Sequence, residues 1–182
     1  MKKVIVLVCS IIILASCNNS DEKFEWSKDR VGVLTKEHIV AQLDSLYSND
    51  SIVRPTAQSD YESASGIIEI YEKGGAHLLT LTPYTPDDPS SKIEYVQIRD
   101  GRFKTDKGIT FNSTFKEINA AYKISSVDLI IEDAQVRVDE QSFYFTINQS
   151  NLPESTRFDP TITLDKNMIP DNATPEYVFV SW

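Results

Sequence analysis

The chain has 182 residues and a mass of 20.6 kDa, which accommodates one domain and leaves little room for two. Hydrophobic residues make up 41% and charged residues 25%, too apolar for a disordered chain and ordinary for a folded one. A formal charge of −9 and a pI near 4.7 set the net field against nucleic acid, so no nucleic-acid partner is expected.

Lys2 and Lys3 precede an apolar run over residues 4–14, interrupted by Cys9 and Ser10. As a helix the run spans about 16 Å, against the roughly 30 Å of a hydrocarbon core. A basic start, a short apolar stretch and small residues at its end read as a secretory signal. Those small residues are Leu14-Ala15-Ser16-Cys17. The tetrapeptide resembles the lipobox of bacterial lipoprotein precursors. The resemblance implies a signal peptide over residues 1–16, cleavage after Ser16, a diacylglyceryl thioether on Cys17 and acylation of the new amino terminus, as with palmitate. One acyl chain holds a protein marginally, and two or more hold it durably. Cleavage removes Lys2 and Lys3 and leaves the chain two units more acidic, so lipid rather than a basic patch has to supply the anchorage.

Residues 17–28 are expected to be the lipidated N-terminus and a flexible tether, because Asn18-Asn19-Ser20-Asp21-Glu22-Lys23 is polar and without apolar period. Residues 29–182 are expected to form the one globular domain. Asn18 directly after the lipidated cysteine is similar to the pattern of lipoproteins sent on to the outer membrane. Ser20-Asp21-Glu22 resembles the acidic export signal of surface-displayed lipoproteins in the Bacteroidota, and a solvated tether accounts for it nearly as well. The expected location is the cell envelope, anchored in the outer membrane by lipid, on its surface or facing the periplasm. With Cys9 cleaved off and Cys17 acylated, no thiol remains for a nucleophile, a redox pair or a zinc site.

The first predicted element is a helix capped by Thr35, with Ile39, Leu43, Leu46 and Tyr47 on one apolar face and Asn49-Asp50-Ser51 ending it. From Gly66 the period becomes two. Ile68 and Ile70, a turn at Gly74-Gly75, then Leu79 and Leu81 predict a hairpin. Residues 83–91 hold three prolines and read as a loop, and Val96 and Ile98 mark the next strand. A second helix is predicted over 114–122, because Thr114 and Glu117 have capping-box spacing and Phe115, Ile118 and Tyr122 share a face. Strands follow at Val127/Leu129/Ile131, Val136/Val138 and Phe143/Phe145/Ile147, and residues 177–182 close the chain as a last strand. No internal repeat is visible. The expected fold class is α+β, a mostly antiparallel sheet of about seven strands with two amphipathic helices.

The segment from Ile98-Arg99-Asp100-Gly101 through Lys104-Thr105-Asp106-Lys107-Gly108-Ile109, with Asn112-Ser113-Thr114-Phe115-Lys116-Glu117-Ile118, is similar to uncharacterised envelope lipoproteins of the Bacteroidota. The resemblance covers roughly the middle third of the chain and implies no activity.

Chemistry is sparse. His38 and His77 have no partner residues placed to make a triad or a zinc site, and phosphate loops, nucleophile elbows and paired-histidine helices are missing. The acidic pairs Asp87-Asp88, Glu132-Asp133 and Asp139-Glu140 lack the spacing of a calcium loop. Neither metal nor cofactor is expected. Against the acidic background, Arg99, Arg102, Lys104 and Lys107 cluster around Phe103, the candidate grip for a carboxylate, a phosphate or an acidic glycan. Asp50-Ser51-Ile52, and with it Asp44-Ser45-Leu46, resembles the O-glycosylation motif of Bacteroidota envelopes, which makes Ser51 a candidate acceptor. Trp182, Val180 and Val178 alternate as in an outer-membrane barrel terminus, but two helices break that plan, and a buried closing strand is expected. The functional expectation is a lipid-anchored, non-enzymatic module that binds an envelope protein or a glycan. The alternative is a small glycan hydrolase, which needs a cleft holding two carboxyls about 5–10 Å apart, one of them in an apolar setting.

Overall fold

The computed structural model describes residues 23–54, 66–131, 133–157 and 163–182. The segment expected to be a signal peptide, Cys17 and residues 18–22 of the expected tether lie outside the described residues. Three short strands come first, β1 (Trp26–Ser27), β2 (Arg30–Val31) and β3 (Leu34–Thr35), paired as a small antiparallel sheet. A 3-10 turn at Val40–Gln42 leads into the one-turn helix α1 (Leu43–Leu46). Strands β4 (Asp50–Val53), β5 (Ile68–Glu72), β6 (His77–Pro83) and β7 (Ile93–Ile98) follow as a meander. After α2 (Phe115–Ala121), strands β8 (Ile124–Leu129), β9 (Asp133–Val138) and β10 (Phe143–Asn148), the short helix α3 (Glu154–Arg157) and β11 (Tyr177–Ser181) complete the fold. The large sheet has eight strands in the order β4-β5-β6-β7-β11-β10-β9-β8, and every pairing is antiparallel. The fold is α+β and mostly antiparallel sheet.

The order has a symmetry that the residues do not display. A helix followed by a four-stranded meander occurs twice, α1 with β4–β7 and α2 with β8–β11. The last strands of the two meanders, β7 and β11, pair at the centre of the sheet with Ile98 opposite Val178 and Val96 opposite Val180. This relates the halves by a pseudo-twofold axis normal to the sheet. Residues 99–123 carry the chain from that centre to the far edge.

One face of the sheet is sealed. The alternation of Ile68/Ile70, Leu79/Leu81, Val96/Ile98, Val178/Val180, Phe143/Phe145/Ile147 and Val136/Val138 turns these side chains to a single buried cluster. Leu34, Leu43, Phe103, Ile118, Leu152 and Leu164 cover it from the elements outside the sheet. Trp26 meets Phe143 edge-to-face at 4.6 Å and is only 2% exposed, so the domain includes residues assigned to the tether. Residues 23–28, expected within the tether, belong instead to the folded domain.

Three other expectations change. Thr35 ends β3 instead of capping a helix, and its N–H goes to His38 Nδ1 at 3.0 Å. The backbone of the following residues is taken by the loop opposite: Ile39 bridges to Lys92, Val40 N–H donates to the Ser91 carbonyl at 2.9 Å and Ala41 N–H to Pro89 at 2.9 Å. Those long-range bonds compete with the first helical turn, and only Leu43–Leu46 is left helical, with Leu43 and Tyr47 still buried. The eighth strand, β4, was not expected. At the sheet edge its partner bonds need no apolar alternation, and Asp50-Ser51-Ile52-Val53 has none. Ile131, in phase with Val127 and Leu129, is 97% exposed because β8 ends at Leu129 and the chain turns there, Ile130 N–H donating to the Asp133 carbonyl at 2.8 Å. The second helix starts as expected, with Glu117 N–H donating to Thr114 Oγ1 and the Glu117 carboxylate accepting the Thr114 N–H at 2.7 Å. Among the described residues no helix is long and apolar enough to cross a membrane.

Candidate functional site

The side chains of the basic loop go to separate settings. Phe103 is 2% exposed and meets Phe24 edge-to-face at 5.2 Å, which leaves it no surface for a sugar or a base. The Arg102 guanidinium is divided between Asp100 and Glu72, each 2.9 Å away, and lies 4.3 Å over the Phe24 ring. Lys107 sits 4.3 Å over Tyr122 and donates to the Ala121 carbonyl at 2.7 Å, at the negative end of α2. Lys104 pairs through its backbone with Phe24 and Trp26 and exposes its side chain. Arg99 is exposed at the end of β7, and its charge adds to the lowering of the His77 pKa by burial. Ser51 is exposed on the edge strand β4.

The titratable groups are engaged in structure. His38 accepts from Thr35, and His77 stacks on Tyr71 with ring centroids 4.4 Å apart, its Nε2 3.1 Å from both the Leu79 carbonyl and Thr80 Oγ1. Burial lowers the His77 pKa and outweighs the opposing pull of Glu69. Among the described residues no three of His, Cys, Asp and Glu gather as a metal set. Glu132 lies outside the described residues. Asp88 accepts the Ser90 N–H and hydroxyl, and Asp139 pairs with Lys123 at 2.6 Å. A cleft of about 250 Å³ between the β1–β2 turn, residues 106–107 and the β9–β10 turn is lined by Trp26, Asp29, Asp106, Tyr122 and Phe143. Its Asp29 is held below the usual carboxylate range by Lys36, 2.8 Å away. Glu72 and Asp100 are likewise lowered by Arg102, and Asp139 by Lys123.

The open face of the large sheet is the surface the fold builds most deliberately. The register puts Glu69, Thr80, Gln97, Phe179, Tyr144 and Arg137 in one row across six strands. The flanking rows bring Tyr177 beside Thr146 and Gln135, and Thr82 beside Tyr95 and Ser181. None of these side chains belongs to the hydrophobic cluster of the other face, and of them only Thr146 is buried. Tyr144 and Phe179 stack at 5.2 Å and 18°, Phe179 meets Tyr177 at 6.2 Å, and the Arg137 guanidinium lies 5.6 Å from the Tyr144 ring. Arg137 is oriented by Gln135 at 2.7 Å and Asp128 at 3.7 Å. Glu94 raises the pKa of Tyr95, burial that of Tyr144 and Glu176 that of Tyr177, so all three hydroxyls stay protonated at neutral pH. The result is a flat, partly exposed field of aromatic edges, phenol hydroxyls and arginine. The expectations from sequence did not include this face, whose local signal is that strand positions out of phase with the core carry Tyr and Phe at 95, 144, 177 and 179.

No protein-family model matches the chain. No curated protein matches it either. Among solved structures it is similar to the uncharacterized protein yfeY from Escherichia coli, at 12% sequence identity and a TM-score of 0.54. The match covers 87% of this chain and 99% of that one. At that identity the likeness is one of fold.

Proposed function

We propose that the chain is an envelope lipoprotein, anchored at the outer membrane through lipid on Cys17, whose domain is a non-enzymatic module that docks a protein partner on the open face of its sheet. The observation that carries the docking reading is the Tyr144–Phe179 stack at the centre of that face, with Arg137 against it and Tyr95 and Tyr177 beside it. Tyrosine, phenylalanine and arginine are the residues enriched in protein interfaces. A protein fits better than a glycan for a geometric reason. Side chains stand upright on a sheet, and the two stacked rings turn their faces to each other, so the surface offers edges and hydroxyls in place of the open ring faces on which sugars stack. The lowered carboxyls support binding over hydrolysis, since a general acid needs a raised pKa.

The test is site-specific photocrosslinking in cells that express the full chain, with a photoreactive phenylalanine analogue at Tyr95 or, as a control on α2, at Lys116. The expected result is one discrete protein adduct from position 95, lost on Phe179→Asp and not formed from position 116. An adduct from both positions, or from neither, overturns the docking surface. An adduct of twice the chain mass replaces the partner with a second copy. Independently, Cys17→Ser should abolish lipid labelling, and labelling that persists overturns the anchor.

A further inference from the structure

We infer that the end of the domain around Lys23 is its membrane-facing surface, and that Lys73 and Lys104 there contact anionic lipid headgroups. The inference rests on the proposed lipidation of Cys17. Only residues 18–22 separate Cys17 from Lys23, and six peptide steps reach at most about 20 Å whatever their conformation.

Lys23 is already fastened to the domain. Its ammonium lies 3.2 Å from Asp50 and 3.7 Å from Glu72. The Lys23 carbonyl presses on Gly32, where a Cβ would stand 2.6 Å away. Phe24 is clamped between Arg102 and Phe103, and its carbonyl accepts the Lys104 N–H at 2.8 Å. The anchor therefore joins a seated residue through a short leash, and the surface next to that residue is held close to the bilayer.

Several of the chain's cations gather at this end. Lys23 and Arg102 are paired with Asp50, Glu72 and Asp100, one carboxylate more than the two cations, so Lys73 and Lys104 leave this end with a small positive excess. Lys73, next to Glu72 in the β5–β6 turn, and Lys104 are exposed and make no ion pair among the described residues. In a chain of net charge −9 the remainder of the surface is repelled by an anionic leaflet. The end that carries unmatched lysines is the one that can rest against it. From the Lys73 turn, β6 runs seven residues, roughly 20 Å, to the loop at residues 84–91, which this orientation turns away from the membrane. The open face then stands beside the strands, clear of the bilayer.

The test uses the full lipidated protein in vesicles of phosphatidylethanolamine and phosphatidylglycerol. Once Cys17 is acylated and Cys9 removed no other cysteine remains, so Gly75→Cys or Ser90→Cys gives a single labelling site. A fluorophore at position 75 should be quenched by a headgroup-attached quencher several-fold more than one at position 90. That contrast should shrink in vesicles without phosphatidylglycerol, and on Lys73→Glu with Lys104→Glu. Equal quenching in a protein that floats with the vesicles overturns the orientation alone. A contrast indifferent to phosphatidylglycerol and to both charge reversals overturns the headgroup contact. A protein that does not float overturns the anchor and this inference with it.

Discussion

The two faces of the large sheet are built from the same strands and carry aromatic residues in adjacent positions, yet they do different work. Phe145 and Phe143 on one face sit among Trp26 and Tyr122 in edge-to-face contacts and are closed to water. Tyr144 and Phe179 on the other stack on each other and stay partly exposed. What differs is coverage. The small sheet, α1, α2 and Leu152, Leu164, Ile169 and Ala173 all supply side chains to the buried cluster on the first face. Hydrophobic burial supplies stability where a second layer exists, and without one the same residue types are left available for recognition.

That contrast can be broken at its strongest point first. Phe145→Ala should cost about 3–5 kcal/mol in denaturant unfolding, the range for deleting a fully buried aromatic ring. A loss near that of a surface change would show that the core face is not closed. Gly32→Ala should cost about 1–3 kcal/mol, because Gly32 has a φ of +57° and an added Cβ would meet the Lys23 carbonyl. Its distinguishing readout is earlier proteolytic cleavage after Lys23, since the seat of that residue is what it disturbs. Thr114→Ala should remove about 1 kcal/mol by opening the capping box of α2, with no change in the photocrosslink at position 95.

Phe179→Ala sharpens the comparison from the other side. It should lower stability by about 1 kcal/mol at most, mainly through the lost stack on Tyr144, while abolishing the photocrosslink. A stability loss like that of Phe145→Ala would move Phe179 into the core. The smallest effect is expected from pH. Arg102 lowers the pKa of Asp100 in the folded state, so the stabilisation is complete above the ordinary carboxylate value of about 4 and is lost as pH falls through the lowered one. His77 adds to the same trend from a higher pH. Its folded pKa is lowered, so below about 6.5 the unfolded chain gains a proton more readily than the folded one, and stability declines. Asp100→Asn should flatten the acid limb and His77→Asn the shoulder above it, both read from unfolding midpoints between pH 3 and 7, windows set by those reference values.

Much of the strand pattern was legible because each strand carries its own record. Ile68/Ile70 and Phe143/Phe145/Ile147 alternate whatever their neighbours are, and Gly74 with a φ of +74° marks its turn by itself. The capping box of α2 was legible for the same reason, since Thr114 and Glu117 are three residues apart. The first helix was misjudged because its competitors, Ser91 and Pro89, are some fifty residues away in the chain. The pairing of the basic loop was hidden for the same reason. Glu72 is thirty residues from Arg102 and neutralises it, and Phe24 draws Phe103 into the core.

The sequence by itself determined the properties that depend on near neighbours: the polarity of each strand's two sides, the cap of α2, the hairpin turn and the lipobox-like start at Leu14-Ala15-Ser16-Cys17. Tertiary structure alone decided strand order, and with it the meeting of β7 and β11 at the centre of the sheet. It also decided which side received a covering layer, which cations found carboxylates, and how Phe179 came to lie against Tyr144. The division follows from range. Periodicity and capping are interactions over a few residues, whereas charge neutralisation and layer packing join residues that only the folded chain brings within reach.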